Sequence, residues 1–517
     1  MVYNKGQDIL MTQVQMGHDR HNNMTLSEAL SESAKAVPRR TCISFEGEKL
    51  SYARIDAMVS QASGGLQGLG LNVRDRAAIL MDNCPGYMVS YFAILRAGGI
   101  VVPLNTFLVA DEIAYILGDA GCGLLIFTSR FRQVVREIEK KFPGIKAVMF
   151  DDIPRTEAVP YAGSPDDTAA LLYTSGTTGF PKGAVITHLN LLSNVEACVK
   201  VMRFTRKDRV LLFLPMFHAF SFTVCVLLPI YAGARIVLLG SVKPFSRVLK
   251  SLVKDRITLF VAVPTVYNLL ARKKIPLFLK HVLKLVLKIR ACVSGASALP
   301  GDTIRAFEKL FNIPLLEGYG LTEASPVVAV NPLSGTRKPG SVGPPVPGVE
   351  AALIKDNGEK TASGGPGELI VRGPNVMKGY FNKDDETKQV LRDGWLHTGD
   401  MAKIDGDGYI YIVDRKKDII IVDGMNIYPG EVENSVLKHP AVEECAMVGM
   451  PHGKGAELAQ LFLKKKEGAV LEEKELRDYL KKRIAQFKIP RRFVFIDEFP
   501  KTATGKIKKY ELKKCGR

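Results

Sequence analysis

Between residue 51 and about residue 313, apolar runs of strand length alternate with longer helix-like stretches: "RAAILM", "VSYFAILRAGGIVVPL", "AYILGDAGCGLLIF", "IKAVMF", "ARIVLLG", "ITLFVAVPTV" and "IRACVSGA". Strand-length runs separated by helices specify parallel strands joined by helical crossovers, so the spacing predicts a doubly wound α/β sheet. Ligands of such sheets bind beyond the carboxyl ends of the strands.

The chain of 517 residues is longer than one hydrophobic core usually serves, so at least two domains are expected. The stretch "NPLSGTRKPGSVGPPVPG" (331–348) is too rich in Pro and Gly to continue a helix or strand and marks a change of subdomain. The short strands "EAALIKD", "GELIVRG" and "GYIYIVDR" follow, as in a small β-barrel. Mixed α/β patterning then returns with "AVEECAMVGMP", "ELAQLFLKKK" and the charged helix "EEKELRDYLKKRIAQF". The expected fold is therefore α/β, with two parts. A large N-terminal domain (25–414) has doubly wound sheets and a β-barrel subdomain at about 340–414, and a small, mobile α/β C-terminal domain occupies 415–517.

Hydrophobic residues at 46% and charged residues at 24% fit a globular protein and exclude a disordered one. The first two dozen residues show no apolar core segment followed by a small-residue cleavage site, so no secretory signal is expected. Eight cysteines without a C-x-x-C pair suggest neither a zinc site nor a disulfide framework, and a reducing cytoplasm is the expected location. The net charge of +18 favours anionic partners. No nucleic-acid partner is expected, because no groove-reading or base-stacking motif accompanies 8% aromatic residues.

Two segments raise the question of a membrane. Residues 210–232 carry no formal charge over roughly the 20 residues that a span needs, but Pro215, His218 and Pro229 interrupt them, so a buried strand and helix are expected. Residues 277–290 place Lys280, Lys284 and Lys288 at every fourth position among Leu, Val and Ile, which predicts a basic amphipathic helix. Packing on its own domain is the ordinary role of such a helix, and peripheral contact with a membrane is the alternative.

The run "LLYTSGTTGFPKGAVITH" (171–188) is the strongest chemical signal. It is not the G-x-x-x-x-G-K-[ST] phosphate loop, because Pro181 and Gly183 stand where that pattern needs Gly and Ser or Thr. Thr174, Ser175, Thr177 and Thr178 nonetheless supply hydroxyls, Gly176 and Gly179 permit close backbone approach, and Lys182 adds a point charge. That inventory suits a clamp on a polyphosphate; a polar surface turn uses the same residue types.

Five further clusters follow in order: "SGASAL" (294–299), "LEGYGLTEAS" (316–325), "DGWLHTGD" (393–400), "VDRKKDIIIVDGMNIYPGEVE" (413–433) and "PKTATGKIKK" (500–509). Each alone could be a structural turn, and acids such as Asp400 or Glu323 occur often in turns and at helix starts. Taken with the 171–188 loop and in this order, they resemble the adenylate-forming superfamily, and the acyl-CoA synthetases within it, from about residue 50 to the end of the chain. The resemblance implies a carboxylate attacking the α-phosphorus of ATP to give an acyl-adenylate and pyrophosphate. A thiol then displaces AMP.

By that resemblance, residues 174–182 hold the β- and γ-phosphates. Tyr319 stacks on adenine beside the Gly295–Ala296 backbone, within the Gly318–Gly320 segment; Glu317 lies near the adenine edge, and Thr322 meets the α-phosphate. Thr174 and Glu323 hold Mg²⁺, Asp400 accepts the ribose hydroxyls with Arg415 alongside, and Lys506 bridges carboxylate and α-phosphate. Lys417 is the hinge about which the C-terminal domain turns between the two steps. Asp423 and Gly424 match the segment beside the coenzyme A tunnel, where relatives often carry two small residues, so Asp423 is a departure.

His218 in "LPMFHAF" matches the position beside the substrate carboxylate. No Asp or Glu occurs between Arg209 and Lys254, whereas amino-acid-activating relatives use an aspartate there. An apolar acid is therefore expected; "LPMFHAFSFT" most resembles fatty-acyl-CoA synthetases, and that resemblance implies a fatty acid first and an aromatic one second, with ATP and coenzyme A as co-substrates. A fatty-acyl-AMP ligase serving a carrier protein is the alternative.

Overall fold

The computed structural model of the chain describes residues 24–174, 180–273, 286–355, 357–422, 425–452, 456–502 and 505–515. A seven-stranded sheet has the order Gly379–Tyr380, Lys182–Thr187, Thr168–Thr174, Ile100–Pro103, Arg76–Leu80, Cys122–Phe127 and Lys146–Met149. An eight-stranded sheet has the order Val327–Val330, Leu315–Gly320, Ala291–Ser294, Leu259–Ala262, Arg209–Leu212, Arg235–Leu238, Thr41–Phe45 and Glu48–Ser51. The central strands of both sheets are parallel; antiparallel strands close both edges of the eight-stranded sheet and one edge of the seven-stranded sheet, whose other edge, Lys146–Met149, is parallel.

Alternate residues of one strand enter different cores, which explains why these strands read as continuous apolar runs. Ile79 faces a core shared by both sheets, while Ala78 and Leu80 face a second one on the outer side. Likewise Val210 and Leu212 face the shared core and Leu211 a third. The helix Pro85–Arg96 contributes Tyr87, Phe92 and Leu95 to the shared core and is buried along nearly its whole length. Truncating a fully buried side chain such as Ile79 to Ala would cost about 2–5 kcal/mol.

The Pro/Gly-rich stretch leads into a curled antiparallel sheet of Lys360–Thr361, Glu350–Ile354, Gly364–Arg372, Trp395–Ile404, Leu391–Arg392 and Ile410–Arg415. Beyond it, Val442–His452, Ala456–Lys465 and Arg492–Phe495 form a three-stranded sheet with the helices Pro429–Val436 and Glu473–Lys481. This small α/β unit has cores of its own.

The uncharged segment 210–232 is the buried strand and helix its prolines and histidine implied: Arg209–Leu212 is a strand, and Ala219–Ala232 is helical with one wide turn at Thr223–Leu227. Among the described residues no helix is long and apolar enough to cross a membrane. The helix expected over 277–290 needs correction at its end, because residues 287–290 are not helical. Arg290 instead enters the strand Ala291–Ser294, where Asp208 accepts from its Nε at 2.7 Å and the Met202 carbonyl accepts from Nη1 at 2.8 Å. Local amphipathic periodicity yields there to a partly buried ion pair with distant sequence. Lys280 and Lys284 lie outside the described residues. Cys42, Cys84, Cys122, Cys198, Cys225, Cys292 and Cys445 are free.

Candidate active site

The 171–188 run forms a hairpin, with Thr174 at the end of one strand opposite Lys182 at the start of the next. Ser175, Gly176, Thr177, Thr178 and Gly179, which connect them, lie outside the described residues. Lys182 Nζ stands 3.9 Å from Glu386 Oε1 and 5.5 Å from the centre of the Tyr380 ring.

A second wall comes from the strand Leu315–Gly320, which carries Glu317, Gly318, Tyr319 and Gly320. Gly320 has no alternative: a Cβ there would lie 2.1 Å from the Pro326 carbonyl oxygen as the strand reverses into Val327–Val330. In the structure Tyr319 belongs to the strand, and Thr322–Ala324 is a separate short helical turn. The change of direction at Gly320–Leu321 aims Tyr319 and Glu323 at different partners.

Tyr319 donates its hydroxyl to Asp400 Oδ2. Arg415 Nε lies 3.0 Å from Asp400 Oδ1, and the two residues are register partners on the strands Trp395–Ile404 and Ile410–Arg415. Asp400 is buried while Arg415 is half-exposed, so the acid is fixed from two sides and the guanidinium still meets solvent. Glu323, on the next turn, accepts from Tyr380 Oη at 2.9 Å.

Glu317 is buried, with Oε1 accepting the Leu299 N–H at 2.8 Å and Oε2 without a partner. Burial outweighs that one hydrogen bond and pushes its carboxyl up to about 8. Gly295 and Ala296 follow the neighbouring strand Ala291–Ser294. A Cβ at Gly295 would lie 2.7 Å from the Phe220 ring, and Ala296 sits at φ 72°, a left-handed conformation that costs a non-glycine residue about 1 kcal/mol or more. His218 precedes the helix Ala219–Phe222, and burial lowers its pKa, which favours neutral imidazole.

Lys506 sits on a turn in which its N–H donates to Thr502 Oγ1 at 3.1 Å and its carbonyl accepts the Thr502 N–H at 2.8 Å. The turn lies against the large domain: a Cβ on Gly505 would come within 3.7 Å of Thr265 Cγ2. The surrounding protein lowers the Lys506 pKa, with Arg415 acting in the same direction and Asp400 opposing. Lys506 thus shares the electrostatic neighbourhood of the Tyr319–Asp400–Arg415 group. Lys417 lies in the turn Lys416–Asp418, directly after Arg415. Asp423 and Gly424 lie outside the described residues, between the paired strands Ile420–Val422 and Met425–Ile427.

Thr174 and Glu323 offer hydroxyl and carboxylate oxygen, and among the described residues no group of three or more His, Cys, Asp or Glu could hold a metal. Mg²⁺ is typically held by one or two protein oxygens together with substrate phosphates and waters, a chemistry that a hydroxyl and a carboxylate can supply.

Tyr380 and Glu386 were not among the residues singled out from sequence. The strand Gly379–Tyr380 pairs with Lys182–Thr187 across almost two hundred residues. Only the run "KGYFN" beside an acidic helix start hinted at them.

The family model described as AMP-binding enzyme matches residues 30–381, and that of the AMP-binding enzyme C-terminal domain matches 431–506. A long-chain-fatty-acid–CoA ligase of Bacillus subtilis (strain 168) is 37% identical, over 95% of this chain and 94% of its own. A feruloyl-CoA synthase of an Amycolatopsis species is 35% identical, over 93% and 97%. The solved structure of an o-succinylbenzoate coenzyme A synthetase from Bacillus subtilis, in complex with ATP and magnesium ion, superposes with a TM-score of 0.84 at 30% identity, covering 94% of this chain and 99% of that one.

Proposed function

The chain belongs to the AMP-binding enzymes and is an AMP-forming, ATP-dependent acyl-CoA ligase, and from that premise we propose that its acid substrate is apolar and fatty, transferred to coenzyme A in the cytoplasm. The observation that carries the apolar reading is the acid-free segment from Arg209 to Lys254 around His218, and the 37% identity to a long-chain-fatty-acid–CoA ligase supports a fatty acid first. Its helical part is apolar and buried, and the Phe220 ring packs against the backbone at Gly295. Such a wall offers nothing to pair with a substrate ammonium and favours an apolar tail.

In this reading the first step adds negative charge to an already anionic phosphorus centre, so catalysis is mostly positioning and charge stabilisation. The 174–182 loop, with Lys182, holds the phosphates that leave as pyrophosphate. Tyr319 lies along the adenine, its ring fixed by the bond to Asp400. Glu317 Oε2 takes the adenine edge and Thr322 the α-phosphate. Asp400 has lone pairs left for two ribose hydroxyls after accepting from Tyr319 and Arg415. Lys506 supplies the cation opposite the attacking carboxylate, with neutral His218 behind that carboxylate. Thr174 and Glu323 would hold Mg²⁺, which supplies neutralisation of phosphate charge. For the second step the domain beginning at 415 turns about Lys417 and brings the segment around Asp423 and Gly424 to the adenylate.

An aromatic acid is the second reading, favoured by the 35% identity to a feruloyl-CoA synthase. The test is AMP formation with straight-chain acids from about C2 to C18 and with benzoate and ferulate, each with and without coenzyme A. The proposal expects the highest kcat/KM among medium or long straight chains, with AMP release dependent on coenzyme A. An aromatic optimum would replace the fatty reading. Indifference to coenzyme A for every acid would point to an acyl-AMP ligase.

A further inference from the structure

We propose that Tyr380 is a positioning residue of the adenylation site, one that keeps the phosphate-loop cation Lys182 apart from the metal acid Glu323 and holds Glu323 with one oxygen free for Mg²⁺. The proposal rests on the reading of Glu323 as a metal ligand.

One side chain touches both groups. The Tyr380 ring centre lies 5.5 Å from Lys182 Nζ, within cation–π range, and its hydroxyl donates to Glu323 Oε1 at 2.9 Å. Lys182 turns instead toward Glu386, at 3.9 Å.

The backbone holds this arrangement at several points. Tyr380 pairs with Ala184 on the strand that Lys182 begins, and the Lys378 and Phe381 N–H groups donate to Val185 and Gly183 carbonyls at 3.0 and 2.8 Å. Thr387 Oγ1 accepts the Tyr380 N–H at 2.8 Å, and the Met377 N–H reaches the Glu323 carbonyl at 2.9 Å. The 377–381 segment therefore grips the hairpin of Lys182 and the turn of Glu323 together.

The chemical need is plain. A lysine and a carboxylate that both face a polyphosphate would neutralise each other in its absence, and nucleotide binding would first have to break that pair. The phenol satisfies Glu323 through a neutral donor and offers Lys182 a ring face, leaving the lysine a loose 3.9 Å contact with Glu386 in place of a closed pair with Glu323. Its single hydrogen bond uses one carboxylate oxygen and leaves the other for the metal.

The test compares Tyr380→Phe, Tyr380→Leu and Glu323→Gln with the unaltered protein. Two measurements are made: the Mg²⁺ concentration giving half-maximal activity at saturating ATP, and Mn²⁺ binding in the presence of a non-hydrolysable ATP analogue, followed by the electron paramagnetic resonance signal of free Mn²⁺. Loss of a hydrogen bond to a charged group is worth about a factor of ten. Tyr380→Phe should therefore weaken both metal readouts about five- to tenfold and change the KM for ATP less than threefold. Tyr380→Leu, which also removes the ring, should raise the KM for ATP about tenfold as well. Tyr380→Phe with both metal readouts unchanged, while Glu323→Gln shifts them, would overturn the role of Tyr380 and leave Glu323 as the metal acid. Readouts unmoved by Glu323→Gln would overturn both. A Tyr380→Phe variant with a lower Tm and unchanged metal readouts would show a purely structural residue, which also contradicts the proposal.

Discussion

Arg415 Nε lies 3.0 Å from Asp400 Oδ1 while the Tyr319 hydroxyl takes Oδ2, so one buried carboxylate joins a strand of the eight-stranded sheet to two strands of the curled sheet. Asp400→Ala would leave a guanidinium and a phenol without their acceptor and would remove the proposed ribose ligand. The kcat/KM for ATP should fall about 10²–10³-fold, equivalent to ~3–4 kcal/mol. Asp400→Asn, which keeps an acceptor, should fall less. Steady-state kinetics with ATP varied decide it; an unchanged kcat/KM in Asp400→Ala would remove the acid from the nucleotide site.

Lys506 is needed, in this account, only while phosphorus is attacked. Lys506→Ala should slow adenylation about 10²–10³-fold and leave thioester formation from preformed acyl-adenylate within roughly tenfold. Lys417→Pro should do the converse, because proline fixes φ and obstructs rotation at the hinge. Rapid-quench measurement of each half-reaction checks both variants. Equal losses in the two steps for Lys506→Ala would mean that the lysine is structural.

Much of this was legible in the chain because it is locally encoded. Strand runs such as "RAAILM" and "IRACVSGA" are apolar throughout since both faces of their sheets are buried, and the hydroxyl- and glycine-rich loop sits between strands whose ends, Thr174 and Lys182, face each other. What was not legible depends on distant pairing. Tyr380 gains its place only when its two-residue strand joins that of Lys182, and the helix expected to reach residue 290 ends early because Arg290 is claimed by Asp208. No periodicity within a short window carries either fact.

Glu317 makes a pH-dependent contribution to stability. Its folded carboxyl titrates at about 8, above the ordinary carboxylate range, so between about pH 4.5 and 8 the folded state holds a proton that the unfolded state has lost. Stability from this group is therefore full below pH 4.5 and declines as pH rises toward 8, by at most about 1.4 kcal/mol per pH unit. Glu317→Gln cannot ionise. Its Tm relative to the unaltered protein should rise steadily from pH 5 to 8 and level off above. A Tm difference independent of pH over that range would mean that Glu317 is ionised in the fold.

Gly320→Ala tests whether the strand reversal is needed for nucleotide binding. The added methyl would meet the Pro326 carbonyl oxygen at 2.1 Å, which the backbone can relieve only by moving. A loss of about 1–3 kcal/mol in stability is expected, together with at least tenfold weaker ATP binding by calorimetry. Unaltered ATP affinity would show that the Tyr319–Thr322 segment does not set the nucleotide's position.

The most direct measurement is a product balance. The protein is incubated with hexadecanoate, ATP, Mg²⁺ and coenzyme A, and every product is quantified by mass spectrometry. The account predicts AMP, pyrophosphate and hexadecanoyl-CoA in equal amounts, with enzyme-bound hexadecanoyl-adenylate and pyrophosphate when coenzyme A is left out. Formation of ADP and phosphate, or of free adenylate that coenzyme A never converts to thioester, would contradict it.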